Sequence, residues 1–336
     1  MSIDLTGGSV EEGLAVGERR RRAFAFVGRY GTLLGMLLMI AIFSAAAPES
    51  FPTLSNAVNI LNQASLTAII AGGLTVALIV GEMDLSIGYV ASFAGVLVTG
   101  LMVDQGIPLL LAIPAVLGVG AAIGSISGIV ITKLRVNAVI ATIGIGTIVV
   151  GINYAYAGGV PVASGVPKAF LDIALGRWVL GIPNNIIFMF AVLALLWVLI
   201  NRTDVGQQIQ AVGGNAEAAR LSGIRVDRIK TLALVVTGIC AAITGTLLAS
   251  LIGSGTSSAA DGYLLMSFAA CFLGSATLRD GEFHILGTFI GVLIVVIGFN
   301  GLAILGAPTF WQYVFQGAIL IAAVGLSTVA RRFSKA

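Results

Sequence analysis

Charge is what this sequence has least of. Asp, Glu, Lys and Arg make up only 10% of its 336 residues, while hydrophobic residues make up 58%. Soluble domains carry about 25% charged residues to cover a wetted surface, so a water-facing globule is excluded. Cysteine is nearly absent as well: Cys240 and Cys271 both lie in apolar runs, without metal-type spacing and without the density of a disulfide framework. His284 is the single histidine. Beside Glu282 it has too few partners for a metal or hydrolytic site, which needs several converging ligands or a nucleophile–base pair, so it reads as a turn residue. The phosphate-cradling pattern Gly-x-x-x-x-Gly-Lys-Ser/Thr is missing too, so no nucleotide site is expected on this chain. No cofactor or metal is implied. The net charge of +3 sits at the ends of apolar runs, which orientation in a membrane explains better than nucleic-acid binding.

What is present is apolar sequence in lengths that fit a bilayer. Mean hydropathy is +1.05, and a helix needs about 20 apolar residues to cross the hydrocarbon core. Charges, prolines and glycine clusters divide the chain into about ten such segments, at 30–48, 59–81, 85–103, 107–132, 137–157, 182–201, 231–252, 263–278, 285–302 and 311–330. The expected fold class is an all-α integral membrane protein, because backbone polar groups in lipid are satisfied within helices. No alternating ten-residue strands of a barrel occur. Glycine is plentiful at 44 residues, which suits close helix approach.

The domain organisation follows. Residues 1–29 are a solvated tail, 30–330 a transmembrane domain, and 331–336 a basic end. Arg19 to Arg22 before an apolar run and Ala45–Ala47 imitate a signal peptide, but Pro48 and the long charged tail favour an uncleaved first span. Arg19–Arg22, Arg29, Lys133, Arg135, Arg202, Arg220, Arg225, Arg228, Lys230, Arg331, Arg332 and Lys335 all fall on one side of a ten-span path. The other side holds only Lys168 and Arg177. The positive-inside rule then puts both termini in the cytoplasm. Tyr154, Tyr156, Trp178, Trp311 and Tyr313 fall at the opposite interface, where aromatic rings anchor. Spans 2–5 start outside and spans 7–10 start inside, the arrangement an inverted repeat produces.

The segment 201–230 is the longest stretch on the basic side. Asn215 can cap a helix, Glu217 suits its first turn, and Ala216, Ala218 and Ala219 favour it. Gly223 offers a left-handed stop. A helix of about two turns is unstable alone in water, so it must dock on something, either a partner's groove or neighbouring helix ends. Ala218, Ala219 and Leu221 form its expected apolar face.

Glu217-Ala218-Ala219 with Gly223 resembles the Glu-Ala-Ala…Gly loop of ATP-binding-cassette importer permeases. The stretch from Ala211 to Ile224 is similar to the ribose/xylose/galactose branch, and the Ile-x-Leu-Pro of other branches is missing. Gly81-Glu-Met-Asp84-Leu-Ser86-Ile-Gly88 resembles the family's Gly-Gly-Ile-Asp-Leu-Ser-Val-Gly, with Glu82 replacing the second glycine. Val136-Asn137-Ala-Val-Ile-Ala-Thr142, Gly158-Gly159-Val-Pro161, Gly287–Gly291 and Asn300-Gly301-Leu are further matches. A second departure is Ser275–His284, where the family has a glycine-rich turn.

The resemblance implies a non-catalytic permease subunit in a bacterial inner membrane, working by alternating access with a cytoplasmic ABC ATPase, a periplasmic binding protein and a second permease copy. It implies that Asn215, Glu217, Ala218, Ala219, Arg220 and Gly223 form the helix that couples to the ATPase. Asp84, Ser86 and Gly88 read as a gate or turn at the cytoplasmic mouth, with Glu82 and Asp84 in water and Asp84 capping a helix from Leu85. Asn62, Gln63, Thr142, Asn153 and Asn300 are candidates for a sugar path, since amides and hydroxyls both donate and accept. Helix–helix glue uses the same residue types. The rival function, an ion-coupled secondary transporter, needs midplane carboxylates, and the expected spans contain almost no charge.

Overall fold

A computed structural model describes residues 31–179, 181–277 and 281–334, with side chains described as far as 325. The tail 1–29 and its arginines, Arg279 and Lys335 lie outside the described residues, and the side chains of Arg331 and Arg332 are likewise not described.

Among the described residues the chain is helical, with only isolated bridges pairing Val162 with Gly255 and Val179 with Ile182. The helices are α1 (Gly31–Ala46), α2 (Leu54–Ile79), α3 (Ile87–Val103), α4 (Leu109–Lys133), α5 (Ala138–Ala157), α6 (Lys168–Leu175), α7 (Asn184–Arg202), α8 (Asp204–Gly214), α9 (Ala216–Leu221), α10 (Val226–Ile252), α11 (Tyr263–Ser275), α12 (Ile285–Ile304) and α13 (Phe310–Ser334). Six of them, α2, α4, α5, α7, α10 and α12, are long and apolar enough to cross a membrane. The shorter apolar helices α1, α3, α11 and the described part of α13 occupy the remaining expected segments.

Two helices form the centre. The most apolar windows of α2 and α10 are 78% and 72% buried, against 22% for α4, so α4 turns most of its surface outward. α10 packs on α2, α3 and α4; α2 packs on α10, α11, α12 and α7. Hydroxyls tie these helices together. Thr237 Oγ1 donates to Gly73 O at 3.0 Å, and Thr75 Oγ1 meets Thr288 Oγ1 at 2.6 Å. Cys240 and Cys271 are free and buried, as expected of inert thiols.

Three boundaries differ from the sequence expectation. α10 starts at Val226, five residues before 231, so Arg228 and Lys230 lie on a helix. α8 was not anticipated; Thr203 caps it through Gly206 N–H, and Gly206, Ile209 and Val212 form its buried face. The segment 253–262, expected as an exposed loop between spans, instead runs along α3. Gly255 packs against Val96 and Thr99, and Ala260 and Asp261 pack against Gly88.

Candidate functional site

The short helix α9 forms as its residues dictate. Asn215 ends α8 and begins α9, and its side-chain oxygen accepts the N–H groups of Glu217 and Ala218 at 3.0 Å each. Gly223 sits at φ +86°, the left-handed conformation that glycine adopts without strain. Ser222 and Gly223 then lead into α10, and Ile224 N–H returns to Ala219 O at 3.0 Å. The apolar face is divided, which corrects the sequence expectation. Ala219 is 5% exposed and packs into its own chain, whereas Leu221 is 83% exposed and Ala218 is exposed. A six-residue helix can direct only one side inward, and Ala219 takes it.

Behind α9 lies an ionic network. Asp227, on the first turn of α10, is 3.8 Å from Lys133, 3.8 Å from Arg135 and 3.9 Å from Arg220. Arg220 also meets Glu217 at 3.4 Å. Solvent-exposed pairs of this kind contribute little individually, but they place the α4–α5 loop, α9 and α10 at one basic end. A cavity of about 530 Å³ opens there, bordered by Met83, Arg135, Asn137, Arg220, Asp227 and Lys230.

The segment between α2 and α3 forms one wall of this cavity, and its acids are not in water. Glu82 is 6% exposed and Asp84 2%. Lys230 Nζ donates to Glu82 Oε1, and this partner, 148 residues away, is why an acid is tolerated where a glycine was expected. Asp84 Oδ1 accepts the Ser86 amide at 2.9 Å and the Ser86 hydroxyl. Burial pushes the Asp84 carboxyl above the ordinary range, and the two Ser86 hydrogen bonds oppose that shift. Asp84 therefore closes a turn ahead of α3, and the helix begins at Ile87, not Leu85. Thr142 completes the clasp: its hydroxyl accepts Leu85 N–H at 3.1 Å. Gly88 lets the 260–261 backbone come close, because a Cβ there would sit tightly against Ala260 O at 3.1 Å and Asp261 O at 3.2 Å.

No hydrogen bond joins any two of the five candidate path residues among the described residues. Asn300 and Asn56 exchange two amide hydrogen bonds at 3.0 Å, tying α12 to α2. Asn62 accepts from Asn185 of α7 at 3.4 Å. Thr142 holds the 83–85 backbone, and Gln63 is exposed. Asn153 Nδ2 donates to Ser257 O at 3.0 Å, so it faces the 253–262 segment. Sequence reasoning missed Asn56, Asn185, Lys230 and Asp261. The first two, like Asn153, are amides near helix ends, a signal that was available; the importance of the last two depends on distant packing.

The sequence matches a known class. Residues 56–324 match the family model described as branched-chain amino acid transport system / permease component. The chain is 35% identical over 312 residues to the ribose import permease protein RbsC of Escherichia coli K12, covering 92% of this chain and 96% of that protein. It is 35% identical over 314 residues to RbsC of Bacillus subtilis 168, covering 93% and 97%. It is 33% identical over 327 residues to the galactose/methyl galactoside import permease protein MglC of Haemophilus influenzae, covering 92% and 97%. No solved structure matches the chain. A family match across most of the helical bundle and near-complete coverage of import permeases lead to one conclusion: the chain belongs to the family of transport-system permease components, as a multi-pass integral membrane protein.

Proposed function

We propose that this chain forms the translocation pathway of an ATP-binding-cassette importer for a sugar or sugar-like solute. The observation that carries it is α9: a capped helix with Ala218 and Leu221 exposed, joined through Gly223 to the central helix α10. Such a helix has too few turns to stand alone in water, and Leu221 is left with apolar surface to bury on a partner. A separate cytoplasmic ATPase supplies that groove, while a periplasmic binding protein delivers the solute. The identity to RbsC and MglC favours a carbohydrate, and selectivity rests on the binding protein.

In this reading the ten apolar helices cross the membrane and both termini are cytoplasmic. The basic end, with Lys133, Arg135, Arg220 and Lys230, faces the cytoplasm. An inverted repeat of α2–α5 and α10–α13 is supported by the packing. Exchanging the two sets in order turns the contact of α3 with α10 into that of α11 with α2. It also turns α4 with α10 into α12 with α2, α3 with α5 into α11 with α13, and α3 with α4 into α11 with α12, and all of these contacts occur. Motion of α9 passes into α10, then through Lys230 and Glu82 to the 81–86 turn, which acts as the cytoplasmic gate. Two such halves rocking against each other give alternating access.

Leu221→Asp tests this role. It lies on an exposed position, so the complex should assemble in detergent with unchanged thermal unfolding of the permease. Solute-stimulated ATP hydrolysis should fall about tenfold or more, as expected when an apolar anchor is replaced by a charge at a docking site. Undiminished stimulation would remove the coupling role from α9.

A further inference from the structure

In the proposed ten-span topology the segment 253–262 lies at membrane depth, where irregular backbone is not tolerated in lipid. It enters beside the far end of α3, where Gly255 pairs with Val162 and packs on Thr99. It ends with Asp261 against Gly88. From Gly88 to Thr99 along α3 is a descent of about 16 Å at the helical rise, roughly half of a hydrocarbon core about 30 Å thick. The chain stays in consecutive turns over this descent, and α11 begins only at Tyr263. Ser92 holds the lower end, its hydroxyl accepting Ala260 N–H at 3.0 Å and donating to Asp261 Oδ1 at 2.9 Å. Asn153 of α5 holds the middle through Ser257 O. Asn153 Oδ1 and Ser257 Oγ are themselves buried and lack a hydrogen-bond partner.

Yet Ser258, Ala259 and Gly262 are exposed on the outside of the bundle. Turned backbone and a carboxylate at membrane depth persist only where they are buried in protein or line water. Asp261 has no ion-pair partner among the described residues. The face carrying these residues therefore cannot be a lipid face.

The geometry points to residues 256–262 as the wetted wall of the translocation pathway at mid-height, with Asp261 as a hydrogen-bonding contact for the hydroxyl groups of a neutral polyol. The oxygen offered there, the carboxylate oxygen of Asp261 not held by Ser92, is an acceptor, and a polyol supplies hydroxyl donors. One Asp261 oxygen is committed to Ser92, which fixes the carboxylate while leaving the other for solute. This inference rests on the permease reading, although its first test does not use the ATPase.

Single variants Ser258→Cys, Ala259→Cys and, as an apolar exposed control on α1, Leu37→Cys are placed in lipid nanodiscs as the full complex. They are then treated with a membrane-impermeant methanethiosulfonate. The native Cys240 and Cys271 are buried and give the background. Because only a hydrated thiol forms the reactive thiolate, the two segment variants should label about tenfold faster than the control. Equal rates would overturn the pathway wall.

The solute contact is tested by uptake of labelled ribose and galactose into proteoliposomes. Asp261→Ala should raise KM about fivefold, the loss of roughly one hydrogen bond. Asp261→Asn, which keeps an acceptor oxygen, should rescue it at both pH 6 and pH 8. If Ser92→Ala is as harmful as Asp261→Ala, Asp261 acts only through its anchor and the contact is refuted. If Asp261→Asn fails to rescue, the charge itself is needed and a polyol contact is likewise refuted. Labelling that succeeds while Leu221→Asp still couples would leave this wall standing and overturn the ATPase reading alone.

Discussion

At the scale of single residues, the buried pair Lys230–Glu82 is the sharpest case of a sequence oddity resolved by packing. An acid where a glycine was expected looked like a change to a solvated mouth, but Glu82 is 6% exposed. Removing one partner of a largely buried pair leaves a charge without compensation, which costs about 3 kcal/mol, whereas replacing both can be nearly neutral. Lys230→Met should therefore lower the thermal unfolding temperature in detergent, and Glu82→Gln with Lys230→Met should recover most of the loss. If the double variant is no better than the single one, the pair does not hold the 81–86 turn to α10. Nothing local in the sequence announced this pair, because its partners are 148 residues apart. Asn215 and Gly223 were legible for the opposite reason: capping and left-handed glycine are decided within a few residues of the helix end.

At the scale of elements, the contact of α4 with α10 depends on close backbone approach at three glycines. Gly120, Gly124 and Gly128 recur every four residues on one face of α4. A Cβ on Gly124 would run into the Leu234 carbonyl and Val235 Cα, and one on Gly120 into Gly238 O. In lipid, where burial of apolar surface gives little drive, such close approach is what associates helices. Gly124→Leu must separate the two helices, costing about 3 kcal/mol or more, and should abolish the monodisperse folded protein. Gly118→Leu, two residues from this face and with nothing within 4 Å of its Cβ, should be tolerated. Equal behaviour of the two would refute backbone contact as the source of this packing. The apolar segments themselves could be read from hydropathy, since length and composition set them. Their ends could not: α8 and the first turn of α10 are polar helices made stable by docking, and 253–262 is polar enough to pass for a surface loop. Its contacts with Val162, with α3 from Gly88 to Thr99 and with Asn153 reveal where it lies.

At the scale of the molecule, the proposed pathway wall faces outward from a single chain, so one copy cannot enclose it. The exposed strip at Ser258, Ala259 and Gly262 needs a facing surface to complete an aqueous channel. α5, which anchors that strip through Asn153, exposes Ile140, Ile143, Ile148 and Ile152, apolar surface suited to contact with a partner or lipid. Each chain also has one α9, while an ATPase pair in the proposed importer offers two grooves. A second copy related by a two-fold axis satisfies both needs at once: it brings two α9 helices to two grooves and sets two pathway walls face to face. Closed two-fold assemblies are the commonest way for identical chains to bury a shared face. Native mass spectrometry of the complex, purified through a tag on this chain, should then give two permease copies with two ATPase domains, on one chain or two. A mass fitting one copy of this chain with a different permease would refute the homodimer while leaving the two-groove argument intact. A mass fitting one permease chain alone with its ATPases would refute the shared pathway, because the wall at 256–262 would then have nothing opposite it.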